Sequence, residues 1–275
     1  MTRRCRAALR ERRVDRLRHV SASHRFKTDD GLQIAFYEWG VQGPAPPVVL
    51  HHGFVANAHA NWEMPGVVAA LVSAGRRVIA PDARGHGASD RPHEPARYGE
   101  GRMAQDLSGL LLATGLGEID LVGYSMGAVV ALLFAADDRR VRRLVVGGVG
   151  SGIVECGGVD RRALSNDSII EALSADDPAT VAAEGARAFR ALADTLGSDR
   201  RALIAQARSI HRGEIALARI SAPTLVLAGD ADPLAIRPQA LVDALPQATL
   251  RMLDGDHMQT LSDARFASSI VEFLG

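Results

Sequence analysis

Residues 123–127 read Gly-Tyr-Ser-Met-Gly, a serine with a glycine two positions away on either side. The apolar run at 119–122 reads as a buried strand, and the apolar stretch at 128–134 reads as a helix. A strand, a sharp turn and a helix in succession hold Ser125 at the apex with its hydroxyl presented. The chain doubles back so tightly there that a Cβ at the flanking positions would clash, which is what Gly123 and Gly127 avoid. Outside that setting the pentapeptide is an ordinary glycine-rich turn.

A serine hydroxyl is a poor nucleophile at neutral pH and needs a base to take its proton. Histidine is the usual base, and a carboxylate on its other ring nitrogen orients it. Of the nine histidines, His257 has the strongest case. It sits in Asp254-Gly255-Asp256-His257, between the last strand and the closing helix, where its loop would share a sheet edge with Ser125. Asp232, in Gly229-Asp230-Ala231-Asp232-Pro233 after the strand at 224–228, is the carboxylate candidate. Asp230 competes, but suits hydrogen bonding to its own turn.

These residues need a scaffold. Residues 24–39 read as a hairpin. Short apolar strands follow at 47–52, 77–80, 119–124, 143–147, 224–228 and 249–253. Helical spacing appears at 67–73, at 98–113 (Met103, Leu107, Leu110 and Leu111 on one face) and at 262–273. Strands alternating with helices, several apolar on both faces, imply an α/β fold with a mostly parallel sheet covered on both sides. The alternation breaks at 151–221, which reads as two or three helices, with Pro178 suited to a first turn. This segment is expected to be a helical lid inserted after the sixth strand. The core is then 23–150 together with 222–275. Residues 1–22, crowded with arginine, are expected to form a disordered tail.

From about residue 24 to the end, the chain resembles the α/β-hydrolases of the lipase, esterase and haloperoxidase-like type. The resemblance rests on His52-Gly53-Phe54 after the third strand and Pro81-Asp82-Ala83-Arg84-Gly85-His86-Gly87-Ala88-Ser89 after the fourth. It rests further on the serine turn after the fifth, then on Gly229-Asp230-Ala231-Asp232-Pro233 and Gly255-Asp256-His257. The order Ser125, Asp232, His257 is the one expected of that family. The resemblance implies an eight-stranded-type sheet and an oxyanion hole made by the backbone N–H groups of Phe54 and Met126. Met126 begins a helix, so its amide is free and the helix dipole favours an anion. Such donors are worth about 3–4 kcal/mol each.

The expected activity is hydrolysis of a small or medium carboxylic ester through an acyl-enzyme. The same constellation serves carbon–carbon bond hydrolases, lactonases, thioesterases and haloperoxidase-like perhydrolases. Epoxide hydrolases and haloalkane dehalogenases are disfavoured, because they place aspartate where Ser125 stands. A ligand-binding receptor on the same scaffold is the alternative of another class. No cofactor or metal is expected. His51 and His52 lack a matching ligand cluster, and the glycine run at 147–152 lacks dinucleotide spacing and reads as a flexible exit into the lid. Arg84 and His86 read as structural, Trp62 and Phe189 as packing, and His211 and the lid arginines as a solvated face. Basic and acidic residues balance at 32 each, and nothing in that balance suggests nucleic acid, so none is expected as a partner. Cys5 and Cys156 are unlikely to pair, no run reaches the ~18 apolar residues of a membrane span, and no signal peptide is visible. The expectation is a cytoplasmic protein acting on a small acyl substrate, with homo-oligomer formation left open.

Overall fold

The computed structural model describes residues 22–275. The expected tail lies outside them, except for Ala22, which opens the first strand. Eight strands form one sheet: β1 (Ala22–Lys27), β2 (Gln33–Trp39), β3 (Val48–His51), β4 (Val78–Pro81), β5 (Ile119–Tyr124), β6 (Val141–Gly147), β7 (Thr224–Gly229) and β8 (Ala248–Leu253). Their order is β1-β2-β4-β3-β5-β6-β7-β8. The pairs β1–β2 and β2–β4 are antiparallel, and the remaining neighbours are parallel.

Successive strand residues point to opposite faces, and both faces are buried. Val48, Leu50, Val122, Val145 and Leu227 pack against α1 (Val67–Ser73) and α9 (Ala264–Leu274). On the other face Val49, Leu121, Leu144 and Val226 pack against α2 (Glu100–Thr114), α3 (Met126–Asp137) and α8 (Pro238–Ala244). The sequence pattern does not reveal α8, which is only seven residues long. The buried face of α2 carries the expected Met103, Leu107, Leu110 and Leu111, and Gly115 ends it in a left-handed conformation. α3 is buried on nearly every side, as its almost unbroken apolar sequence requires.

The parallel register places the site. His51 lies opposite Gly123, Tyr124 opposite Gly147, and Gly229 opposite Leu253. The chain therefore leaves β3, β5, β6, β7 and β8 along one edge of the sheet, and their loops converge there.

Between β6 and β7 stand four helices: α4 (Ser151–Cys156), α5 (Asn166–Ser174), α6 (Glu184–Thr195) and α7 (Arg200–Arg208). The additional one is α4, hidden in sequence by the glycines before it. Pro178 opens a 3-10 turn. The exit at 147–152, expected to be flexible, is buried throughout. The insertion packs onto the post-strand loops through a cluster that includes Leu173, Phe189 and Leu203 against Val55 and Leu234.

Arg84, in the loop after β4, is wholly buried. Its guanidinium pairs with both oxygens of Asp106 on α2, at 2.6 and 2.7 Å, and also bonds Asp30 and the Arg97 carbonyl. Breaking such a group leaves buried carboxylates uncompensated. Arg84→Met is expected to lower the unfolding free energy by about 3–5 kcal/mol, read from urea denaturation.

Candidate active site

Ser125 caps the N-terminus of α3 with φ 54° and ψ −116°, a strained backbone for a residue with a side chain. It stays there because the turn is clamped. A Cβ on Gly127 would overlap the His51 and His52 carbonyl oxygens, and one on Gly123 would overlap the Gly127 backbone. The Ser125 N–H donates to the Gly147 carbonyl at 2.8 Å.

The Ser125 hydroxyl lies 2.9 Å from His257 Nε2, and His257 Nδ1 lies 2.8 Å from Asp232 Oδ2. All three side chains are buried. The second oxygen of Asp232 accepts the Leu234 N–H at 2.8 Å. Tyr124, next to the serine, donates its hydroxyl to the His257 carbonyl at 2.6 Å, so β5 also holds the histidine loop. Asp230 does not bond its own turn. Its Oδ1 accepts the Gly255 N–H at 2.9 Å and ties the Asp232 loop to the His257 loop. Gly148 leaves room for the imidazole, since a Cβ there would sit 2.9 Å from His257 Cε1.

The loop after β3 is stitched to the loop after β4. His52 Nε2 accepts the Ala83 N–H at 2.9 Å while its Nδ1–H donates to the Gly53 carbonyl. His86 Nε2 accepts the Val55 N–H at 3.2 Å while its Nδ1–H donates to the Arg84 carbonyl. Asp82 accepts the Ala58 N–H at 2.9 Å. Burial pushes His52 down to about 4 and His86 to about 3, so both rings are neutral and each keeps one acceptor nitrogen. His51 is likewise pushed down to about 3, by burial first and then by His52. Val55, a β-branched residue at φ 69°, is held in this frame. The amides of Phe54 and Met126 donate to no protein acceptor among the described residues.

Two cavities meet at Ser125. The first, of about 80 Å³, is walled largely by apolar side chains, among them Phe54, Met126, Leu164, Ile169 and Leu234. The second, of about 170 Å³, runs past Gly53, Asn61, Tyr124 and His257. Phe189 borders both, rather than only packing, while Trp62 is buried in the core beside Phe266. The arginines of the insertion do not form a solvated face throughout. Arg190 is buried against Asp194 and the Ala172 and Ala175 carbonyls, and Arg161 lines the first cavity. His211 lies beyond α7 and gives its backbone N–H to Glu100. Asn61 was not singled out from sequence. Its Oδ1 accepts the Gly53 N–H at 2.9 Å, and its buried Nδ2 has no partner among the described residues. Among the described residues no cluster of three or more metal-ligating side chains occurs. No described helix is long and apolar enough to cross a membrane.

Residues 46–155 match the α/β-hydrolase fold family. A Synechocystis sp. protein that carries the provisional name non-heme chloroperoxidase is 31% identical over 242 residues, which covers 78% of this chain and 84% of that one. The chain belongs to the α/β-hydrolase family. Other relatives of this α/β-hydrolase match over shorter spans. The 2-hydroxy-6-oxo-2,4-heptadienoate hydrolase of Pseudomonas putida is 43% identical over 122 residues, so the chain spans less than half the length of that curated relative (43% of each). A solved hydrolase from Pseudomonas aeruginosa superposes with a TM-score of 0.75 at 26% identity, covering 92% of this chain and 98% of that one.

Glu100, the first residue of α2, also lines the first cavity and is only 5% exposed. Burial raises its carboxyl to about 7, against the opposing hydrogen bond from His211 N–H. An acid whose folded value lies above its unfolded one stabilises the fold while protonated and loses that contribution as pH rises from about 4.5 through about 7. Glu100→Gln cannot ionise. Its melting temperature is expected to exceed that of the parent at pH 8, by the equivalent of about 3 kcal/mol, and the gap to close by pH 4. Calorimetry across that range would show it, and a gap that stays constant with pH would contradict it.

Proposed function

We propose that this α/β-hydrolase is a serine hydrolase that cleaves a small or medium carboxylic ester through an acyl-enzyme. The observation that carries the reading is the line from Ser125 Oγ through both imidazole nitrogens of His257 to Asp232, at 2.9 and 2.8 Å. Asp232 holds the proton of His257 on Nδ1, which leaves Nε2 free to accept the serine proton. The serine oxygen attacks the carbonyl carbon. The negative charge then develops on the carbonyl oxygen, toward the free amides of Phe54 and Met126. His257 returns the proton to the departing alcohol. Water repeats the sequence and releases the acid, and the serine regains its proton. The apolar first cavity suits the acyl group, and the second suits the alcohol. The insertion, whose Phe189 borders both, acts as the lid.

The name of the Pseudomonas putida relative supports a second reading, in which the substrate is a hydroxy-oxo acid and the same three residues cleave a carbon–carbon bond. A panel of esters, thioesters, lactones and hydroxy-oxo dienoates separates the two.

A fluorophosphonate is expected to label Ser125, as located by peptide mapping, and labelling should vanish in Ser125→Ala and His257→Ala. Asp232→Asn is expected to lower ester turnover by about 10⁴-fold. Full labelling in His257→Ala would show that another base serves Ser125. Binding without turnover in the parent protein would point to a receptor.

A further inference from the structure

We propose that Glu100 and Gln206 form a hydroxyl-recognition site in the first cavity, making the favoured substrate an ester whose acyl chain carries a hydroxyl group. The inference rests on the reading above, in which that cavity takes the acyl group.

Both residues line the cavity that Ser125 lines, and both are buried. Polar groups in an otherwise apolar wall fix orientation and specificity, because burying them unpaired is costly. Each has a protein partner and keeps hydrogen-bonding capacity to spare. From other residues, the Glu100 carboxyl receives one hydrogen bond, from His211 N–H to Oε2 at 2.6 Å. Gln206 is wholly buried; its Oε1 accepts the Gly99 N–H at 3.1 Å. Because that amide needs an acceptor, the carboxamide orientation is set and Nε2 is directed elsewhere. Among the described residues, the one acceptor that Nε2 meets is the Met126 sulfur at 3.8 Å, a weak one. The site therefore offers an underused acceptor on Glu100 and an underused donor on Gln206. The two line one cavity, and Gln206 bonds the backbone of Gly99, the residue before Glu100.

A hydroxyl both donates and accepts, so it satisfies the two together. An ammonium would only donate. It would leave Gln206 Nε2 facing a cation, with Arg161 on the same wall adding repulsion. A carboxylate would only accept, which leaves the spare acceptor of Glu100 without a donor and sets two like charges together once Glu100 ionises. A bare alkyl chain would seal both groups away from water and leave their spare capacity unused. The asymmetry is large: a site built to bond a hydroxyl rejects the analogue lacking it far more strongly than an apolar pocket discriminates by size. Sequence alone did not reveal the pair, because α2 and α7 meet only once the insertion is folded.

The test is equilibrium binding of unhydrolysed methyl esters to Ser125→Ala. The probes are alkanoates of graded length and their counterparts with one hydroxyl at successive carbons. At one hydroxyl position, the hydroxylated ester is expected to bind about tenfold or more tightly than its parent alkanoate. Adding Glu100→Leu or Gln206→Leu should erase the preference, and Glu100→Gln, which still offers a carbonyl oxygen, should retain part of it. Fluorophosphonate labelling of the single Glu100 and Gln206 variants reports whether the serine site is intact, and Gln206→Leu serves if Glu100→Leu does not fold. Equal binding of both series at every position, or a preference that survives both leucine variants, overturns the proposal. A preference in a protein that hydrolyses no ester would leave the hydroxyl site standing and sink the hydrolase reading. Turnover without a preference would do the reverse.

Discussion

The site depends on one backbone kink. Ser125 occupies a conformation that its own side chain disfavours, and the fold holds it there from both sides. The carbonyls of His51 and His52 lie against Gly127, and the Gly147 carbonyl takes the Ser125 N–H. Without that clamp the turn would relax, the hydroxyl would leave His257, and the Met126 amide would lose its direction. The strain is local, whereas the restraint comes from three parallel strands in register.

Four histidines surround this region, and they divide by hydrogen bonding. His52 and His86 are buried, neutral and fully committed, each giving one nitrogen to a carbonyl and the other to an amide. They act as fixed braces between two loops and carry no proton traffic. His51 is equally buried and its ring faces the His52 carbonyl at 3.3 Å. His257 alone has a nitrogen directed at a nucleophile. The same residue type thus serves as a brace at two positions and stands poised between a hydroxyl and a carboxylate at a third, and the partners at its two nitrogens decide which.

Much of this was legible in the amino-acid order. Ser125, Asp232 and His257 each follow a short apolar strand, and parallel strands must release their loops on one edge, so the convergence could be anticipated. The helical insertion could be placed by the break in alternation, though not its additional helix, since glycines mask α4. Glu100, Gln206 and Asn61 were not legible. Each is an ordinary polar residue within helical or loop sequence, and its burial follows from what the chain places on top of it from far away. Phe189 shows the same limit. Its spacing on α6 marks a buried face, but only the packed insertion shows that this face borders two cavities. Asp230 looked like a turn former. Its partner, Gly255, lies 25 positions along the chain, beyond the reach of any local pattern.

In the proposed reaction, two spaces that both reach Ser125 have a kinetic consequence. On the proposed assignment of the two cavities, departure of the alcohol empties the larger space while the acyl group still fills the smaller one. Any small nucleophile able to diffuse into the vacated side then competes with water for the same ester bond. The partition between hydrolysis and transfer to a second alcohol is thus set by the walls beside Asn61 and Met258, separately from the walls that choose the acid.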